Sequence, residues 1–232
     1  MRFFVGVPFP TRRYPPYYCT RPELLSIASS LGANPQSSVF LGAGASEERV
    51  TSMDLTGVDV LAFATHGLVS GDLDGLDQPA LALSSPEVTG GEGDGLLTIG
   101  EILGLKLNAD WVVLSACNTA AADGQGAEAV SGLGRAFFYA GARSLLVSNW
   151  PVHSAATTEL TTTLFKMRAD EEDLNRAEAL RRVRLHMIAK GAFKNGDGTP
   201  VFSYAHPLFW APFTIVGDGG GGRPHGPRPA GS

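Results

Sequence analysis

Two residues in this chain, Cys117 and His66, have side chains suited to nucleophilic attack on a carbonyl group. Cys117 follows the apolar run 111–114, and His66 follows the apolar run 58–64, 51 residues earlier than the cysteine. The thiolate is the reactive form of cysteine, and its free pKa of about 8.5 falls beside an imidazolium or a helix N-terminus. A histidine partner also protonates the leaving amine after attack on a peptide bond. The pair therefore predicts hydrolysis by a cysteine nucleophile.

Gly67 follows His66 and is a candidate for binding the substrate oxygen. It has no side chain, so its backbone N–H can approach that oxygen closely. With the N–H of Cys117 it would form an oxyanion hole, in which loss of one donor typically costs about 100–1000-fold in rate. Structural roles are the alternative for each residue alone, because a buried cysteine is commonly a small core residue and a His-Gly pair is common in turns. The pairing of the two strand ends favours catalysis.

The apolar runs before both residues predict buried β-strands, because they are short enough for a strand and too short for a helix. Helices are expected between the strands, at residues 23–31, 46–55, 98–105 and 126–139, and as two long helices after Pro151. This alternation predicts an α/β fold, a three-layer α/β/α sandwich with a mostly parallel central sheet. Ligands of such sheets bind at the carboxyl ends of the strands. We therefore expect His66 and Cys117 to open onto the same edge.

The chain divides into three predicted parts. Residues 1–22 contain five prolines and are interpreted as an irregular N-terminal extension, in which residues 3–7 could add an edge strand. Residues 23–216 are predicted to form one domain. Residues 217–232 are nearly all Gly, Pro, Arg and Ser and are predicted to be a disordered tail.

Composition narrows the class of protein. The 232 residues are 44% hydrophobic, as in a soluble globular domain, and the net charge of −5 argues against partners such as nucleic acid or an anionic membrane. Only two cysteines occur, which fits a reducing compartment. No apolar run is long enough to span a membrane, and no signal peptide is evident, so we expect a cytoplasmic protein. No His/Cys cluster has metal-ligand spacing, and no cofactor is expected.

Five segments of the sequence resemble one known family. They are ATHG (64–67), LSACNT (114–119), AGAR (140–143), SNWPV (148–152) and PLFWAPF (207–213). The His-to-Cys separation is also typical of caspase-type enzymes. Over residues 37–218 or so, the chain resembles the CHAT domain family of caspase-like (clan CD) cysteine peptidases.

The resemblance implies a caspase-hemoglobinase-like sandwich and a His66–Cys117 dyad. It implies a cysteine endopeptidase that cleaves a protein or peptide substrate in a regulated bacterial signalling or defence pathway. It also implies a domain at the C-terminus of a longer chain, often behind tetratricopeptide repeats, which would then be a regulatory partner. Because no 34-residue repeat is visible, we expect a truncated or solitary version. The alternative is a CHAT scaffold or interaction module with little or no turnover.

The predicted substrate-binding residues are Asp72, Asp74, Trp150 and His153. Family members usually carry acidic residues after the Trp-x-Val motif, where this chain has His153 and Ser154. That departure argues against a preference for a basic residue before the scissile bond. The loop with Asp72, Asp74 and Asp77 could supply the charge, although such glycine-rich acidic loops are usually solvated. His153 is better interpreted as a helix-start residue than as a second base, and Trp150 as either a cleft wall or a core residue.

A third alternative concerns the segment 42–46. It is a GxG turn between a predicted strand and a predicted helix, as in dinucleotide-binding sites. Glu47 occupies the position of the third glycine, where its charge would repel a pyrophosphate. The segment therefore favours a plain strand-to-helix turn.

Overall fold

A computed structural model gives the fold and describes residues 2–6, 20–115, 126–150 and 153–220. The strands in those ranges are, in chain order, β1 (Arg2–Gly6), β2 (Val39–Leu41), β3 (Val60–Ala64), β4 (Gly67–Leu68), β5 (Ala80–Ala82), β6 (Leu96–Thr98), β7 (Trp111–Leu114), β8 (Ser144–Ser148), β9 (Ala192–Lys194), β10 (Pro200–Ser203) and β11 (Phe213–Gly217).

The α-helices in the same ranges are α1 (Thr20–Ser30), α2 (Pro35–Ser38), α3 (Glu47–Ser52), α4 (Pro86–Thr89), α5 (Ile99–Gly104), α6 (Gly126–Tyr139), α7 (Ser154–Asp170) and α8 (Arg176–Lys190). Single 3-10 turns are formed by Gly42–Gly44 and Pro207–Phe209. None of these helices combines the length and the apolar character that a bilayer span requires.

The central sheet has the strand order β11-β8-β7-β3-β1-β2. All neighbouring strands from β8 to β2 are parallel, and β11 at the other edge is antiparallel to β8. The predicted α/β fold with a mostly parallel central sheet is therefore confirmed.

Alternate residues of the strands build two separate cores. Val112 and Leu114 of β7 face a core completed by side chains of α3, α5 and α6. Trp111 and Val113 face the opposite core, completed by α1, α7 and α8. This period of two is what a strand buried on both faces requires, and it makes the fold a sandwich of three layers.

Two helices begin where the sequence predicted their starts. Ser46 caps α3, where its side chain accepts a hydrogen bond from the Arg49 N–H at 3.2 Å. Thr98 and Glu101 form the predicted capping box at the start of α5. Just before Ser46, the Gly42–Gly44 passage is a single 3-10 turn that leads into α3, a helix of only six residues.

The prediction of an edge strand near the N-terminus is wrong. β1 lies inside the sheet, with β3 on one side and β2 on the other. Phe4 and Val5 are fully buried, one in each core, so the strand is a structural part of the domain. Residues 7–19, which hold four of the prolines, lie outside the described ranges.

Two small sheets were not predicted as such. β4, β5 and β6 form an antiparallel sheet directly after β3. β9 and β10 form a hairpin after α8. Both are made of strands of two to four residues, which are too short to give a clear alternating pattern.

The start of the predicted tail is attached to the domain. Gly217 ends β11, and the backbone carbonyls of Asp218 and Gly220 accept hydrogen bonds from the Arg176 guanidinium at 3.2 and 3.1 Å. Residues 221–232 lie outside the described ranges. The disordered tail and the domain boundaries at residues 22 and 216 stay predictions.

Candidate active site

His66 lies just beyond the carboxyl end of β3 and is buried, with 7% of its surface exposed. Its carbonyl accepts a hydrogen bond from the Ala82 N–H at 2.8 Å, and the neighbouring Thr65 hydroxyl donates to the Ala82 carbonyl. These two bonds fix the histidine backbone to β5. Burial lowers the pKa of the His66 imidazole below its ordinary value, which favours the neutral ring at neutral pH.

Gly67 opens β4 and lies opposite Leu81 of β5. The Ala82 to His66 bond shows that Gly67 and Leu81 are a non-hydrogen-bonded pair of the antiparallel ladder. In such a pair the N–H points away from the partner strand. The N–H of Gly67 therefore takes no part in the pairing with β5 and points toward the open side of β4.

The strands β3 and β7 lie side by side in a fixed parallel register. Val60 lies opposite Trp111, and Phe63 lies opposite Leu114. The Ser115 N–H then donates to the Phe63 carbonyl at 2.9 Å, which extends the pairing by one residue. The description stops at Ser115, so Cys117, in the segment 116–125, lies outside the described residues. The structure thus places His66 and Gly67, and the dyad itself stays a prediction.

A buried carboxyl group lies behind the end of β7. Glu23 of α1 is 3% exposed, and its carboxylate accepts a hydrogen bond from the Thr161 hydroxyl of α7 at 2.9 Å. Burial raises the pKa of Glu23 to about 7, against the opposing effect of the hydrogen bond from the Thr161 hydroxyl. Sequence reasoning missed this residue. The signal was its position four residues before Ile27, on the face of α1 that enters the core.

His153 is the N-cap of α7, which confirms its interpretation as a helix-start residue. Its Nδ1 accepts a hydrogen bond from the Ala155 N–H at 3.3 Å. The ring packs edge-on against Phe202 at 4.7 Å between centroids and lies 5.9 Å from Phe193. Desolvation lowers the pKa of His153. These contacts attach the residue to the β9–β10 hairpin.

Trp150 follows β8 and is half-buried, with its indole nitrogen shielded from solvent. Because β8 is the neighbour of β7, both Trp150 and His153 follow a strand that ends at the same edge as β3. The predicted substrate residues of this segment therefore belong to the same edge of the sheet as His66.

The acidic loop between β4 and β5 is folded on itself. The Asp72 carboxylate accepts from the Val69 N–H at 2.9 Å, and the Ser70 hydroxyl donates to the Asp77 carbonyl at 3.0 Å. Leu76 anchors the loop in a small cluster with Leu68. Asp74 is exposed at the far end of the loop. Asp72 is thus occupied by its own loop, whereas Asp74 faces solvent.

The profile of one protein family, the CHAT domain, matches residues 3–218. This chain belongs to the CHAT domain family. The match confirms the resemblance and extends it to the N-terminal side, because it includes β1. The CHAT domain and the fold together support a caspase-like cysteine peptidase family.

One protein relative and one solved structure are similar to this CHAT domain. Tetratricopeptide repeat protein 28 of Mus musculus is 29% identical over 225 residues, which cover 84% of this chain and 8% of the mouse protein. The crystal structure of the Arg specific cysteine proteinase gingipain R superposes with a TM-score of 0.57 at 11% identity, covering 94% of this chain and 46% of that chain. The second likeness shows the shared fold. The chain spans only a small part of the mouse protein and about half of gingipain.

Proposed function

We propose that this CHAT domain is a cysteine endopeptidase with Cys117 as nucleophile and His66 as its base. The observation that carries the proposal is the register of β3 and β7, in which paired residues differ by 51 positions. The same interval separates His66 from Cys117. His66 and Cys117 each follow the Phe63–Leu114 pair by three residues. Because adjacent parallel strands lie about 4.8 Å apart, this equal spacing supports a short distance between the two residues.

The proposed reaction begins with proton transfer from the Cys117 thiol to the His66 imidazole. The low pKa of the buried His66 supports this role, because only the neutral ring can accept the proton. The thiolate attacks the peptide carbonyl carbon and forms a tetrahedral intermediate. The His66 imidazolium then protonates the leaving amine as the C–N bond breaks. Water, deprotonated by His66, hydrolyses the resulting thioester and restores the thiol.

The negative oxygen of the intermediate would be bound by the N–H groups of Gly67 and Cys117. The orientation of the Gly67 N–H away from β5 supports this assignment. A backbone donor fixed by a neighbouring strand needs no reorganisation during the reaction, which is what makes an oxyanion hole effective.

Substrate contacts are proposed for the same edge of the sheet. Trp150 and His153 would wall the cleft beside β8, where the aromatic packing of His153 favours an uncharged substrate side chain. Asp72 and Asp74 stay candidates for a basic side chain. Asp74 is the stronger of the two, since Asp72 already accepts a hydrogen bond from its own loop.

A tetratricopeptide-repeat region is the proposed regulatory partner. The support is the mouse relative, whose name states that it contains such repeats. Protein or peptide is the proposed substrate class, and a role in bacterial signalling or defence stays a prediction. Adding a repeat protein to the domain and measuring cleavage would test the regulation.

Incubation with a peptide library tests the endopeptidase activity. Cleavage by the wild type and none by Cys117→Ala is the expected result, with Cys19→Ala as the matched thiol control. Cleavage by the Cys117→Ala variant would contradict the proposal that Cys117 is the nucleophile.

The second candidate is a CHAT scaffold without turnover. It is favoured by His153, which stands where acidic residues are usual and is used as a helix cap and hairpin contact. A stable partner captured equally by wild type and Cys117→Ala, with no cleavage of that partner, would favour the scaffold.

A further inference from the structure

The backbone at His66 is bonded to β5. The described pairs of β3 with β1 and β7 end at Ala64 and Phe63. Beyond them, the His66 carbonyl accepts from the Ala82 N–H at 2.8 Å, and the Thr65 hydroxyl donates to the Ala82 carbonyl. Ala82 therefore uses both of its backbone polar groups to hold the chain at His66, and the position of β5 determines where that chain lies.

Ala82 lies near one end of the ladder between β5 and β6. It is opposite Leu96, and the next pair along is Leu83 with Gly95, in which the Leu83 N–H donates to the Gly95 carbonyl at 2.7 Å. The two residues of a hydrogen-bonded antiparallel pair normally exchange both of their N–H···O bonds. Here the Gly95 N–H donates instead to the Glu47 carboxylate at 3.2 Å. A side chain of α3 thus takes the place of one ladder bond.

The residue after Leu83 is bonded to the turn between β2 and α3. The Ser84 N–H donates to the Ala45 carbonyl at 3.0 Å, and the Ser84 hydroxyl donates to the Gly42 carbonyl at 2.7 Å. Gly42 has φ +52°, a conformation that favours glycine. The segment 42–47, called the clamp below, therefore holds both strands at this end of the ladder.

The end of the ladder is closely packed. Leu83 is fully buried, and Gly95 is buried with φ +77°, where an added Cβ would lie 3.0 Å from the Ser84 carbonyl oxygen. Glu47 is half-buried, and its Oε2 also accepts from the Asp94 N–H at 3.1 Å. Because packed interiors leave little free volume and transmit strain, a displacement at the clamp is passed along β5.

We propose that Glu47 and Ser84 are positioning residues that fix the backbone of His66 through β5. The inference rests on the proposed role of His66 as the base. The clamp holds the end of the ladder, the ladder holds Ala82, and Ala82 holds His66. This role matters for the reaction because a misplacement of about 1 Å at a reacting group costs roughly 100-fold in rate.

Glu48 provides the matched comparison for Glu47. It is the next residue of α3, and its carboxylate accepts from the Glu92 N–H of the same loop at 2.9 Å. Glu92 lies before the ladder, since β6 begins at Leu96. Glu48→Ala therefore removes the same charge and the same kind of bond as Glu47→Ala without changing a contact of the ladder.

The test is an NMR titration of the His66 imidazole combined with amide hydrogen exchange at Ala82, both on the full chain. We expect Glu47→Ala and Ser84→Ala each to speed exchange at Ala82 by about three- to tenfold. Both should also raise the pKa of His66 by roughly 0.3–0.5, because a looser strand admits water to a ring whose pKa is lowered by burial. Glu48→Ala should leave both measurements unchanged.

The direction of the change in the His66 pKa separates position from charge. Loss of a nearby carboxylate lowers the pKa of an imidazole, so a fall in Glu47→Ala overturns the inference. Unchanged Ala82 exchange in both variants, or equal effects in Glu48→Ala, also overturns it. A purely structural role of Glu47 would lower stability without moving the His66 titration, and that result overturns it as well. Neither measurement needs turnover, so absence of peptidase activity and failure of this inference are separate results.

Discussion

Phe63 and Leu114 lie opposite each other at the ends of the parallel strands β3 and β7. Their pairing makes the two strand ends level, and the Ser115 N–H extends it by donating to the Phe63 carbonyl at 2.9 Å. His66 and Cys117 each stand three residues beyond this pair. The geometry of the sheet, rather than contacts between the two side chains, is thus the basis of the proposed dyad.

His66→Ala should lower kcat/KM for a cleaved peptide by about 100–10,000-fold, because the thiol loses its base and the amine its acid. The measurement is the initial rate of peptide cleavage over a range of substrate concentrations. His186→Ala is the matched control, since that histidine lies on α8 and bonds to Glu159 at 3.1 Å. Equal losses in the two variants would assign His66 a role in folding only.

The parallel sheet was more predictable from the sequence than the place of each strand in it. The alternation of strands and helices gave the parallel sheet, because it depends on local patterns, and the roles of His66 and Cys117 stay predictions. The interior position of β1 depends on pairing with β2 and β3, which no local pattern specifies. The prolines that follow β1 also favoured an irregular segment.

The burial of Glu23 could not be predicted from the sequence, for a physical reason. An acidic residue in the first turn of a helix is normally explained by the helix dipole and is solvated. Its burial arises only when α7 covers α1 and the Thr161 hydroxyl meets the carboxylate. Arg184 of α8 is a similar case, since its side chain is half-buried and donates to the Phe213 carbonyl at 2.5 Å.

Glu23→Gln should make the protein more stable than wild type above pH 7. The folded-state pKa of about 7 exceeds the ordinary value of 4.5, so between these values the folded state binds more protons than the unfolded state. Wild-type stability is therefore full below the unfolded value and declines as pH rises through the folded value. The decline attributable to Glu23 is about 3 kcal/mol.

The measurement is urea unfolding of both proteins at several pH values. The stability difference in favour of Glu23→Gln should grow from pH 4.5 to pH 7 and level off above it. The exposed-site variant Glu172→Gln should track wild type throughout. A constant difference at all pH values would mean that Glu23 does not titrate in this range.

Glu47→Ala should release one part of the loop between α4 and β6. The Glu47 carboxylate accepts from the N–H groups of Asp94 and Gly95 at 3.1 and 3.2 Å. Loss of a hydrogen bond worth about 1.4 kcal/mol corresponds to about tenfold faster amide exchange at those two residues. The readout is hydrogen exchange by NMR.

Glu48→Ala is the matched control for that loop. Its carboxylate holds the Glu92 N–H at 2.9 Å, so this variant should accelerate exchange at Glu92 and leave Gly95 unchanged. Equal acceleration of all three amides in both variants would show that the loop opens as one unit, which contradicts separate anchors.

Gly141→Ala should destabilise the connection between α6 and β8. Gly141 has φ +112°, a conformation that side chains rarely adopt, and an added Cβ would lie 2.2 Å from the Leu107 carbonyl oxygen. That oxygen is backbone and cannot move aside without disturbing the Leu107 N–H bond to Ala140 at 2.7 Å. The expected loss is about 2–4 kcal/mol, a fall in Tm of roughly 5–15 °C. Gly104→Ala, where nothing lies within 4 Å of the new Cβ, should change stability by less than about 0.5 kcal/mol. Similar Tm values for the two variants would mean that the turn after α6 adapts to a side chain and does not fix the start of β8.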